Sequence, residues 1–262
     1  MKLSISNIAW TTENDAQIYA LMEKYGYTGL EIAPTRIFTD APYDKINEAA
    51  AWAEKLKKEY SLCVSSMQSI WYGRQERIFG TSDEREFLVY YTKKAIDFAA
   101  AMNCKNLVFG CPRNRRILAD ENPELGIEFF KEVGDYAAEK GTVIGLEANP
   151  PIYNTNYIND TASAFQMIEQ VNSDGFKLNL DIGTMVFNDE KITDLKQKVN
   201  LINHVHISEP GLEQIERRKI HKELKEILSS ESYQGYVSIE MKNLEDINIL
   251  EKKMKYVRSI FG

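Results

Sequence analysis

Polar and apolar residues alternate from Asn203 to Ile207, where His204 and His206 are separated by Val205, the two-residue period of a β-strand. Both imidazoles therefore point to one side, and the Pro210-Gly211 pair leaves His206 and Ser208 where strand gives way to loop. Elsewhere the period lengthens to that of a helix. Ile46, Ala49, Ala50, Ala53, Leu56 and Tyr60 share one face, as do Phe87, Tyr91, Ala95, Phe98 and Met102. The same stripe recurs in Phe129, Phe130, Val133, Tyr136 and Ala137, ahead of which Asn122, Pro123 and Glu124 form a helix start signal. It returns in Ile247, Leu250, Met254, Val257 and Phe261 near the end of the chain.

The two periods alternate throughout. Strands are expected at 3–8, 30–32, 63–68, 106–109, 143–147, 177–181, 202–207 and 236–240, with helices between them, the first at about 15–25 and the last at about 246–260. Eight units in 262 residues is about 33 residues each, the size a closed parallel barrel requires. The fold class predicted is α/β, a single (β/α)8 TIM barrel occupying 1–262 as one domain, because no linker or low-complexity tract interrupts the rhythm. A doubly wound open sheet would place a Gly-rich phosphate turn after the first strand, and Asn7-Ile8-Ala9-Trp10 is not one.

Composition narrows the classes of function. With 44% hydrophobic and 27% charged residues the chain reads as globular, and its net charge of -7 speaks against nucleic acid as a partner. No stretch of about 18 apolar residues suits a membrane span, and the start reads as a strand rather than a signal peptide, so a cytoplasmic location is expected. Cys63, Cys104 and Cys111 lack C-x-x-C spacing, which suggests neither a disulfide framework nor a thiolate zinc site.

A barrel carries its chemistry at the C-terminal strand ends. Glu147, Asp181, His206 and Glu240 meet that demand, at separations of 34, 25 and 34 residues. Parity agrees: Leu178 and Leu180 face the helices while Asn179 and Asp181 face inward, and Ser238 shares the side of Glu240. Taken singly, each acid is as well explained as an ion-pair partner or helix cap. Three carboxylates converging on one mouth would repel and be desolvated, and a divalent cation resolves the conflict. Three oxygen ligands and one imidazole suit Mn, Mg, Co or Zn.

With these residues in place, the chain resembles the xylose-isomerase-like barrel superfamily, in particular its sugar phosphate isomerase/epimerase branch. The likeness runs from Leu-Ser-Ile-Ser-Asn at the start, through Gly-Leu-Glu-Ile at 29–32, to Gly-Tyr-Val-Ser-Ile-Glu at 235–240. It implies one divalent metal ion held by Glu147, Asp181, His206 and Glu240. It further implies a divalent-metal-dependent isomerase or epimerase of a small sugar, sugar phosphate or sugar acid, in which Glu147 and Glu240 exchange a carbon-bound proton through an enediolate. The alternatives are a metal-dependent keto-cyclitol or sugar dehydratase, and a non-catalytic sugar-binding barrel. A sugar is the expected partner, with a homodimer as the prior for oligomeric state.

Further substrate contacts are expected from position. Gln68 and Trp71 follow the third strand, where they suit hydrogen bonding to and stacking on a sugar; Trp10 has the equivalent place after the first. Arg113 and Arg115, with Arg116, form a cationic loop that either clamps a phosphate or carboxylate or is a solvated surface loop. Asn149 lies two residues beyond Glu147, and Glu31, Glu209 and Lys242 are placed to reach hydroxyl groups; His204 is expected to support His206 from below. Two positions depart from the ketose 3-epimerase members of the family, which carry histidine where this chain has Thr184 and arginine where it has Leu212. Those departures speak against a free-ketose epimerase, and three histidines are too few for the multi-metal DNA-repair relatives.

Overall fold

The computed structural model describes all 262 residues. Eight strands, β1 (Lys2–Ser6), β2 (Gly29–Ile32), β3 (Cys63–Met67), β4 (Leu107–Phe109), β5 (Ile144–Leu146), β6 (Phe176–Asp181), β7 (Ile202–Ile207) and β8 (Tyr236–Ile239), lie side by side in chain order. Every neighbouring pair is parallel, and Leu3 opposite Val237 closes β1 onto β8. The expected (β/α)8 barrel is therefore the architecture found.

Around it run α1 (Asp15–Lys24), α2 (Pro34–Ile37), α3 (Ile46–Tyr60), α4 (Ser82–Ala101), α5 (Glu124–Glu139), α6 (Thr161–Val171), α7 (Ile182–Phe187), α8 (Lys219–Ser230) and α9 (Ile247–Phe261). Helix starts follow local chemistry. Thr81 and Glu84 form a reciprocal capping box on α4, Asn122 accepts from the Glu124 N–H ahead of α5, and Asp246 caps α9. The last helix thus begins one residue later than expected, because Asp246 is its cap.

The first strand is shorter than the pattern suggested. It stops at Ser6, since Asn7–Ala9 turn into a 3-10 helix and the Asn7 amide oxygen accepts the Ala33 N–H at 2.9 Å. The helical half after β6 also differs: α7 has only six residues and is followed by 3-10 turns.

Strand parity divides the interior into two chemistries. Outward residues such as Val205, Ile207, Leu178 and Leu180 join one apolar core of 67 buried residues between barrel and helices. Trp71, Phe109, Phe129 and Phe130 interlock there, mostly edge to face with ring centroids 4.7 to 5.6 Å apart. Inward residues are mostly polar: Ser4, Ser6, Glu31, Ser66, Asn106, Asn179, His204, His206 and Ser238 are all buried. Branched apolar side chains usually fill a barrel of this kind. Here hydrogen bonds do much of that work, as between Ser4 and Ser65 at 2.6 Å and from the Asn106 amide to Ser66 at 2.9 Å. No helix is long and apolar enough to cross a membrane.

Candidate metal centre

Strand ends deliver four ligand-type side chains to one point. The register sets Asp181 opposite His206, and His206 opposite Ser238 two residues before Glu240. Glu147 follows β5, one strand further round. One ligand-type atom from each of Glu147, Asp181, His206 and Glu240 lies within 4.8 Å of the other three. The four sequence-predicted ligands are therefore brought together.

His206 is fully buried and its two ring nitrogens face different groups. Nδ1 lies 3.0 Å from Glu147 Oε1, 3.2 Å from Glu240 Oε2 and 3.2 Å from the Asn179 amide, while Nε2 lies 2.9 Å from Glu31 Oε2. Asn179 Nδ2 donates to Glu147 Oε1 at 2.9 Å, and Asn149 Nδ2 donates to Glu147 Oε2 at 3.0 Å. Asp181 also caps α7: its Oδ1 accepts the Thr184 N–H at 2.9 Å and the Ser208 hydroxyl at 2.7 Å.

Burial and mutual repulsion act on the acids. Burial, then Glu147 and Glu240, push the Asp181 carboxyl up to about 7, and burial raises Glu240 above the ordinary carboxylate range. The only basic side chain paired with Glu147 or Glu240 is His206. Three carboxylates and an imidazole nitrogen, converging without lysine or arginine, form a donor set that fits a divalent cation. With such an ion the formal charge of the site would be about -1.

The centre lies at the foot of a cavity of about 530 Å³ opening at the C-terminal end of the barrel. Gln68, Trp71, Arg113 and Asn149, all expected as substrate contacts, are among the residues that line it. Trp71, however, is only 3% exposed and donates its indole N–H to Thr92, so it forms a wall more than a stacking platform. Three expected substrate contacts do not line the cavity. Arg115 is fully buried and its guanidinium donates to the backbone oxygens of Phe109, Glu147 and Ile158 and to Asn149 Oδ1. Glu209 is gripped by Arg218 through three contacts of 2.6 to 2.9 Å, and Lys242 turns outward to Glu213. In each case a protein partner satisfies the charge before a substrate can. Trp10 likewise donates to Asp15 under Arg36, outside this cavity.

Other cavity residues escaped the sequence reading. Tyr153 lines the cavity beside Leu212, and its hydroxyl accepts the Gly211 N–H at 2.9 Å, tying the loop after β5 to the loop after β7. No periodicity marks Tyr153, because it stands in a loop. Gly110 sits against the site, where an added Cβ would come 3.0 Å from Glu147 Oε2. Ser69 and Cys111, also cavity residues, hold left-handed φ values of 54° and 40° at the ends of β3 and β4. Such strain costs of order 1 kcal/mol apiece and is retained where the surroundings over-determine the backbone.

The model of the family described as xylose isomerase-like TIM barrel matches residues 19–260. A comparison with curated proteins found no match. Among solved structures, the 3-keto-D-glucoside 4-epimerase of Escherichia coli aligns over 99% of each chain at 21% identity, with a TM-score of 0.76. The D-psicose 3-epimerase of Clostridium cellulolyticum, solved with D-tagatose, aligns over 100% of this chain and 99% of that one at 18% identity, TM-score 0.78. The probable 3-DHS dehydratase of Bacillus anthracis aligns over 98% of each at 16% identity, TM-score 0.70.

Proposed function

The chain belongs to the xylose isomerase-like TIM barrel family, and on that premise we propose that it is a divalent-metal-dependent isomerase or epimerase of a small sugar or sugar derivative. One observation carries this reading: a ligand-type atom from each of three carboxylates and one imidazole lies within 4.8 Å of the rest at the floor of a cavity of sugar size. Glu147, Asp181, His206 and Glu240 hold the ion. The ion, when bound, supplies positive charge to a substrate carbonyl and its neighbouring hydroxyl and so acidifies the carbon-bound proton between them.

The protein's own groups then move the proton. Glu147 and Glu240 flank the site and serve as base and acid, one taking the proton and the other returning it to the opposite face or the next carbon. Glu147 is held by amides on both oxygens, from Asn179 and Asn149, which fixes its direction. Burial raises Glu240 above the ordinary carboxylate range. Gln68 and Asn149 are placed for substrate hydroxyls, and the exposed Arg113 for an anionic group.

Dehydration is the second reading, in which loss of a hydroxyl follows the same proton abstraction. It is favoured by Thr184, whose hydroxyl is spent on the Ala148 carbonyl at 2.8 Å, and by Leu212, neither of which offers a ketose the donor found in the 3-epimerase members. The structural likeness to a probable dehydratase accords with it.

Elemental analysis of the wild type beside Asp181→Asn with His206→Ala tests the centre. About one divalent ion per chain, lost in the double variant, is expected; no ion in the wild type after Mn, Co or Mg is supplied would overturn the reading. Solvent-deuterium exchange into ketoses, ketose phosphates and keto-cyclitols, with product analysis, then separates epimer from dehydrated product.

A further inference from the structure

We infer that Glu31, on the second strand and far from the four ligands in sequence, is the positioning residue that fixes which nitrogen of His206 faces the ion. The inference rests on the metal reading above. Glu31 is fully buried, and its Oε2 lies 2.9 Å from His206 Nε2. An ionised carboxylate only accepts, so the nitrogen it faces carries the proton. That leaves the Nδ1 lone pair pointing at Glu147 and Glu240, 3.0 and 3.2 Å away, where the cation belongs.

Glu31 has two further polar neighbours. Gln68 donates to Oε1 at 3.1 Å, and His204 Nε2 lies 3.0 Å from Oε2. Two imidazoles thus converge on one carboxylate oxygen. His204 sits one layer beneath His206 on the same strand, which explains a second inward histidine that binds nothing at the cavity. A carboxylate behind a metal-bound imidazole orients the ring and raises its basicity, and losing one typically costs 10- to 100-fold in metal affinity.

The test uses zinc-loaded protein labelled with 15N at its three histidines, together with zinc affinity by competition against a chelator dye. In the wild type, His206 should show a proton on Nε2 and a metal-bound Nδ1. Glu31→Gln keeps an acceptor oxygen but loses the charge, and should weaken zinc binding 10- to 100-fold; Glu31→Leu should weaken it further. Unchanged melting temperature and circular dichroism in Glu31→Gln separate positioning from folding, and that variant decides the matter if Glu31→Leu does not fold. Wild-type affinity in Glu31→Gln would overturn the inference, as would a proton on Nδ1. Two zinc ions per chain would also overturn it, since Glu31 and His204 would then be ligands themselves. A wild type that takes up no zinc or manganese would instead sink the metal reading, and this one with it.

Discussion

Arg113 and Arg115 are two residues apart and the barrel uses them differently. Arg113 is exposed at the cavity wall, so Arg113→Ala should change stability by no more than about 0.5 kcal/mol. It should raise KM for a phosphorylated or carboxylated substrate more than for its neutral analogue; equal effects in steady-state kinetics would remove the anion contact. Arg115 sits behind Glu147, binding its carbonyl at 2.8 Å and orienting Asn149, whose amide then faces the carboxylate. Arg115→Ala leaves several buried acceptors without partners and should cost about 3 kcal/mol or more in urea denaturation. At the reacting centre, Glu147→Gln and Glu240→Gln should each keep the wild-type circular dichroism and slow substrate proton exchange by about 10²- to 10⁴-fold. A variant exchanging at the original rate would not be part of the acid/base pair.

Elements respond to local chemistry that is separable from the site. Helix α4 begins at a capping box, so Thr81→Ala should lower stability by about 1 kcal/mol with no change in kinetics. In helix α8, His221 is buried with Nδ1 2.9 Å from the Tyr256 hydroxyl, while Nε2 has no partner. Burial depresses its pKa to about 4 from an ordinary 6.5. The unfolded chain therefore binds a proton below pH 6.5 that the folded chain refuses until about 4. The associated stability is present in full above pH 6.5, is lost as pH falls towards 4, and amounts to at most about 3 kcal/mol. Across that window the wild type should lose up to about 3 kcal/mol of stability relative to His221→Phe in denaturation curves; a constant difference between the two would assign the loss elsewhere.

For the whole molecule, the proposed ion would be shared by four strand ends, so its binding should stabilise the barrel as a unit. Saturating manganese at 100 times its Kd should add about 2.7 kcal/mol and raise Tm, an effect absent from Asp181→Asn with His206→Ala. What the sequence by itself determined was everything that repeats. Eight alternations of a two-residue and a helical period dictate a closed barrel, and parity along β6, β7 and β8 turns Asp181, His206 and Glu240 inward, because side-chain direction is a local property of a strand. Ser208, read as the residue where β7 meets its loop, proved to be the hydroxyl that holds Asp181. The tertiary structure alone decided which charges are free. Arg115, Glu209 and Lys242 had the right type and position for a substrate, but the folded chain sets Asn149, Arg218 and Glu213 against them, and these occupy them first. Tyr153 reaches the cavity only because closure brings the loops after β5 and β7 together. Glu31 meets His206 across 175 residues of chain, in the polar interior of a barrel that no period in the sequence describes.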